Sequence, residues 1–192
     1  MNIEDIFDDL PSLKTNRIIL RRLTLEDVND VFEYACEPEV AIYTLWEHHK
    51  SIDDTLTFLS FMVKKYEEKQ VADWGIVLKE SNKLIGTGGF MWWSPKNASA
   101  EVGYALSKKY WNQGIMTEAL NEIVKFGFDK MKLNRIEAKT RVENIASQSV
   151  LKKAGMTFEG IMREQLFTKG DYRDFMIFSI LRKEYIERTR ES

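Results

Sequence analysis

Between Glu101 and Lys130 the chain changes its hydrophobic period. Glu101 to Ser107 alternates as a strand does, and Thr117 to Lys130 repeats its apolar positions as a helix does. Trp111-Asn112-Gln113-Gly114-Ile115-Met116-Thr117-Glu118-Ala119-Leu120 joins the two. A strand, a short Gly-containing loop and a helix start, in that order, commit the region to a sheet with a helix packed on it. They also make an anion site, because the first N–H groups of a helix lack internal partners and carry the positive end of the macrodipole. Gly114 admits a ligand where a Cβ would block it, and Lys108 and Lys109 stand just upstream. A lone Gly before a helix is also an ordinary turn, and the spacing fits neither the P-loop nor the dinucleotide fingerprint. The surroundings have to decide.

Composition narrows the classes. A chain of 192 residues is expected to form one domain with a sizeable core, here residues 15–185 behind an acidic lead-in, 1–14. A net charge of -2 and a pI near 5.8 leave no electrostatic footprint for nucleic acid. Cys36 is the single cysteine, so no disulfide or cysteine zinc site forms within the chain, and no metal site is expected. Met1 to Leu10 carries acidic and no basic residues, unlike a signal peptide, and apolar runs such as Phe175 to Leu181 are too short to span a bilayer. The expectation is a cytoplasmic protein, monomeric or homodimeric, with no membrane or nucleic-acid partner.

Arg17 to Leu23 reads as a first strand. Thr24 caps a helix that ends before Pro38, and Ser51 caps a second one with Ile52, Leu56, Leu59, Val63 and Tyr66 as its stripe. The loop between them, Ala41 to Lys50, carries Trp46, His48 and His49. Trp74 to Lys79 and Lys83 to Gly89 flank a Ser81-Asn82 turn, with further strand at Ala100 to Ser107. Arg135 to Arg141 is a strand, a helix from about Ala146 to Ala154 ends at Gly155 as a left-handed cap, and two strands bracket a Lys169-Gly170-Asp171 turn. Hairpins dominate the middle. The fold class is therefore α/β (α+β), a mixed sheet with flanking helices rather than a doubly wound one.

A second strand-to-helix junction lies at Asn144-Ile145-Ala146-Ser147. Asn144 has two readings, an N-cap or an amide that grips an extended ligand. Four pieces now stand in order: Glu101-Val102-Gly103-Tyr104-Ala105-Leu106, the loop Trp111 to Leu120, Asn144-x-x-Ser147 with Lys153-x-Gly155-Met156, and Gly170-Asp171-Tyr172-Arg173-Asp174. Trp46-x-x-His49-x-Ser51 precedes them. With these pieces the chain resembles the GNAT superfamily of acetyl-CoA-dependent N-acetyltransferases over about Thr15 to Arg182, and within it the Rim-type branch that modifies ribosomal-protein N-termini.

The resemblance implies a mostly antiparallel sheet of about seven strands whose fourth and fifth splay apart. Acetyl-CoA would slot into the gap like an extra strand, leaving CoA as product. Backbone groups of Tyr104, Ala105 and Leu106 would pair with the pantetheine amides. The loop Trp111, Asn112, Gln113, Gly114, Ile115, Met116 and Thr117 would wrap the pyrophosphate, with Asn144, Ser147 and Lys153 completing the cofactor site. Trp111 stands where the family usually has Gln or Arg, Met116 where it has Gly or Ala, and Leu151 where many relatives place the Tyr that protonates the leaving thiolate. Ser147, one helical turn earlier on the same face, is the expected replacement.

Amine acetylation needs a base that titrates near neutrality. Glu101 leads, at the start of the strand beside the slot, although a strand-end surface carboxylate reads the same way. His48 and His49 are rivals that also read as surface or cap residues. Trp46, His49, Trp92 and Tyr172 are the expected substrate pocket, with the core as the competing place for each aromatic. Cys36 lies far from these motifs, so transfer is expected to be direct. The expected acceptor is a primary amine, a protein N-terminal α-amine of the ribosomal-protein type. A small-molecule or antibiotic amine, or a non-catalytic acyl-CoA-binding sensor module, are the alternatives.

Overall fold

Eight strands carry the alternating segments: β1 (Leu13–Lys14), β2 (Ile18–Arg21), β3 (Asp73–Leu78), β4 (Leu84–Ser94), β5 (Ser99–Leu106), β6 (Arg135–Arg141), β7 (Thr157–Thr168) and β8 (Asp171–Leu181). They form one sheet in the order β1-β2-β3-β4-β5-β6-β8-β7 in the computed structural model, which describes residues 6–190. Every pairing is antiparallel except β5 with β6. The strand beyond the expected seven is the two-residue β1, so the splay expected between the fourth and fifth strands falls between β5 and β6 as numbered here.

Among the described residues the helices are α1 (Val28–Ala35), α2 (Pro38–Ala41), α3 (Ile52–Glu67), α4 (Ile115–Asp129), α5 (Ile145–Lys153) and α6 (Arg182–Arg190). Thr24 forms a capping box with Asp27 ahead of α1, and Ser51 forms one with Asp54 at α3. Pro38 opens the single turn α2 at a position where its missing N–H costs nothing. Gly155, at φ 85°, closes α5: its N–H reaches the Lys152 carbonyl and that of Met156 the Leu151 carbonyl. Lys169 and Gly170 both take positive φ in the two-residue turn between β7 and β8.

The two faces of the sheet are covered by different helices. Trp74 and Phe90 turn to the α4 face, where the Trp74 ring lies 5.3 Å from Phe126. Thr87 turns the other way and faces Tyr34 of α1. Each fully buried large side chain in these layers contributes about 1.5–3 kcal/mol. Of the lead-in expected over 1–14, residues 1–5 lie outside the described residues, and the remainder is integral to the fold. Phe7 and Leu10 are buried, and the Pro11 carbonyl accepts the Trp74 indole N–H at 2.8 Å. α6 has no apolar stripe to announce it, yet Tyr185 stacks on Phe128 at 4.7 Å and the Arg182 guanidinium bonds the Leu133 and Phe128 carbonyls.

Candidate functional site

The site begins where a pairing stops. β5 meets β6 only at Ser99↔Arg135, Ala100↔Ile136 and Glu101↔Glu137, and beyond Glu101 the two strands part. Successive residues of a strand turn their backbone groups to opposite edges. The Ser107 N–H goes to Ile85 on the β4 side, and the Ala98 carbonyl goes to Asn134 and Arg135 on the β6 side. Tyr104 and Leu106 therefore turn their backbone into the gap, whereas Ala105, expected to join them, turns its groups to β4. The Trp111 indole already donates to the Leu106 carbonyl at 2.8 Å, which pins the following loop to the strand end. An extended chain of amides fits such an edge as one more strand.

Across the gap the Tyr104 phenol and the Ser147 hydroxyl lie 2.9 Å apart. Ser147 is set by α5: its N–H donates to Asn144 Oδ1 at 3.0 Å, so the cap reading of Asn144 holds while its Nδ2 has no hydrogen bond among the described residues. Burial pushes the Tyr104 phenol above its ordinary range, against a smaller pull from Ser147. Lys153 closes the last turn of α5, exposed to solvent.

At the end of β5 the chain passes through Trp111, Asn112 (φ 59°), Gln113 and Gly114 (φ 73°) into α4. Gly114 is the N-cap, and its left-handed backbone lets α4 start at Ile115, two residues earlier than its pattern suggests. Ile115 and Met116 are buried and anchor that start. With Thr117 they form the first turn, whose N–H groups have no intrahelical acceptor. Lys108 and Lys109 do not serve this loop, since they pair with Glu39 at 2.9 Å and Glu33 at 2.7 Å. A different cation does: Arg17, at the foot of β2, donates to the Gln113 carbonyl at 2.9 Å and to Glu118 at 2.7 Å. Nothing near Arg17 in sequence signals this.

On the opposite face Glu101 Oε2 accepts from the Trp92 indole at 2.7 Å and from Lys139 at 2.8 Å. Lys139 is a second participant that local sequence does not reveal. Trp93 belongs to the core beside Phe7. His49 packs between Trp46, at 5.7 Å, and Phe58, at 6.2 Å, and its Nδ1 lies 2.8 Å from the Thr55 hydroxyl. Burial pushes its pKa down, against a weaker upward pull from Asp54, which leaves a neutral ring. The β7–β8 turn reaches this region through a bond from Lys169 to the Ala41 carbonyl, and Arg141 lies over the Tyr43 ring. Ile42, Tyr43, Leu45, Phe167 and Tyr172 form an exposed apolar rim there. Among the described residues no His, Cys, Asp or Glu group could hold a metal ion, and no helix is long and apolar enough to cross a membrane.

The arrangement can therefore take an elongated ligand carrying amides and a diphosphate, with hydroxyls at its middle and a carboxylate on the far face. Residues 17–157 match the acetyltransferase (GNAT) domain. The chain is 33% identical over 172 residues to the uncharacterized N-acetyltransferase YoaA of Bacillus subtilis (strain 168), spanning 90% of this chain and 97% of that protein. It is 31% identical over 104 residues to the ribosomal-protein-serine acetyltransferase of Escherichia coli (strain K12), spanning 54% of this chain and 58% of that one. In fold it resembles RimL, a ribosomal L7/L12 alpha-N-protein acetyltransferase solved with coenzyme A, at a TM-score of 0.79 and 21% identity over 89% of this chain and 98% of that one.

Proposed function

This chain belongs to the acetyltransferase (GNAT) family and is an N-acetyltransferase, and on that premise we propose that it carries acetyl from acetyl-CoA directly to the α-amine of a protein N-terminus. The observation that carries the cofactor half is the open edge of β5 beyond Glu101, continuous with the first turn of α4. The acceptor half is supported by the relative named for ribosomal-protein serine and by the exposed apolar rim, which suits a peptide. A cytoplasmic setting goes with a ribosomal-protein acceptor.

Bound acetyl-CoA supplies a thioester, an acyl group already activated toward amines. Tyr104 and Leu106 would hold the pantetheine amides by their backbone, and the Gln113 to Thr117 N–H groups would hold the pyrophosphate. Asn144 Nδ2 and Lys153 would meet the arm and the phosphates. Glu101, fixed through Oε2, has Oε1 left to take the acceptor's proton, directly or through water. With the thioester seated in the gap, a backbone N–H near Leu106 would stabilise negative charge on its carbonyl oxygen. Ser147 would give its proton to the departing sulfur. The half-buried Tyr104 phenol lies 2.9 Å from Ser147 Oγ and either oxygen can donate; when the phenol donates, the serine hydrogen would be left for the sulfur. Trp46, the neutral His49, Trp92 and Tyr172 wall the acceptor side.

The test is free-thiol release from acetyl-CoA with a panel of N-terminal peptides and polyamines. Release should require peptide, and should fall by about a hundredfold or more in Glu101→Gln and about tenfold or more in Ser147→Ala. Release on polyamines alone would make a small amine the acceptor, and CoA binding without release on any amine would leave a sensor.

A further inference from the structure

The cofactor loop is tied to a strand that begins about a hundred residues upstream of it. Glu118, on the first turn of α4, accepts from the Thr15 hydroxyl at 2.5 Å and from the Arg17 backbone N–H at 2.9 Å through one oxygen. Its other oxygen accepts from Arg17 Nε at 2.7 Å. The same guanidinium donates from Nη1 to the Gln113 carbonyl at 2.9 Å, and its Nη2 stands 3.6 Å from where a Cβ on Gly114 would lie. One side chain thus holds both sides of the turn that leads into α4.

We propose that Arg17, with Thr15 and Glu118, is a latch that positions the Gln113–Gly114 turn for the cofactor's pyrophosphate. The C=O and N–H of a planar trans peptide point in opposite directions. Fixing the Gln113 carbonyl on Arg17 therefore fixes the Gly114 N–H on the other side of the same plane. Without the guanidinium the carbonyl is free to turn toward the anion it should avoid. Gly114, lacking a Cβ, offers little resistance to that rotation. Glu118 in turn orients Arg17, because a guanidinium held at Nε by a carboxylate has its remaining N–H groups set in a plane. Arg17 and Glu118 are positioning residues and Ser147 and Glu101 are not touched by them. The inference rests on the reading of this loop as the pyrophosphate cradle.

The experiment compares ligands that do and do not carry phosphate. Calorimetry would give the Kd of CoA for the wild type, Arg17→Ala and Glu118→Gln, and steady-state assays would give KM for acetyl-CoA and for S-acetylpantetheine. If the turn adopts its competent conformation a tenth of the time, both variants bind CoA about tenfold more weakly. KM for acetyl-CoA rises to match, kcat stays within about twofold, and the values for S-acetylpantetheine do not move. Glu118→Gln keeps the side-chain volume and one carbonyl acceptor, so it carries the test if Arg17→Ala fails to fold. Unchanged CoA binding in both variants overturns the latch, as does equal weakening of S-acetylpantetheine, which would mean general damage. Weakening in Arg17→Ala alone overturns it in favour of a direct phosphate contact. A wild type that discriminates poorly between CoA and pantetheine overturns the cradle reading, and the latch with it.

Discussion

Glu118 and Asp73 are both withdrawn from water, and their neighbours push them in opposite directions. Burial raises the Glu118 pKa, but the bonds from Thr15 and Arg17 outweigh it, and the carboxylate ends below its ordinary range. Burial raises Asp73 to about 6, and only the field of Lys65 opposes it. Its folded value thus lies above the unfolded value of 3.8, so its contribution is fully present below that pH and is lost as pH rises toward 6. Asp73→Asn should therefore stabilise the protein at pH 7 to 8, by up to about 3 kcal/mol, and change little at pH 4. Thermal unfolding at the two pH values checks this, and equal effects at both would contradict it. The Asn144 cap and the Gly114 turn were legible at this scale, because a cap or a turn is written within three or four residues. Arg17 and Lys139 were not, since a charged residue on a strand looks like a solvated one wherever its partner is remote.

The proposed function gives Asn144, at the start of α5, a second role beside the cap. Asn144 Oδ1 caps the helix, while Nδ2, without a hydrogen bond among the described residues, is the donor proposed for the cofactor. Aspartate keeps the acceptor and loses the donor, so the two roles separate by substitution. Asn144→Ala should cost about 1 kcal/mol of stability. Asn144→Asp should keep the melting temperature and raise KM for acetyl-CoA severalfold, because a carboxylate cannot donate. A normal KM in Asn144→Asp would leave the cap as the residue's whole role. Elements with a recognisable cap were easily read, α3 by Ser51 and α5 by Asn144 and Gly155. α6 was missed, because it has no buried residue and docks instead through Arg182 and Tyr185.

At the scale of the whole molecule, the three-residue pairing of β5 with β6 is the seam between two parts of the sheet. A ligand seated beyond it bridges the stretches of β5 and β6 that do not otherwise meet, so it should stabilise the folded chain by mass action. At a hundred times its Kd, CoA should add about 2.7 kcal/mol, or roughly 5–10 °C in melting temperature for a chain of this size. Scanning fluorimetry against CoA concentration checks it, and a flat melting curve would contradict the proposed seat. What the amino-acid sequence determined by itself was the order and kind of most of the elements, the left-handed turns and the anion-ready start of α4, because each depends on neighbours along the chain. Tertiary structure alone decided where β5 leaves β6, that Tyr104 meets Ser147 across 43 positions, that Lys139 pairs with Glu101, and that Arg17 reaches Glu118 across 101. Those contacts are set by which strands the sheet makes adjacent, and no local period or cap encodes that adjacency.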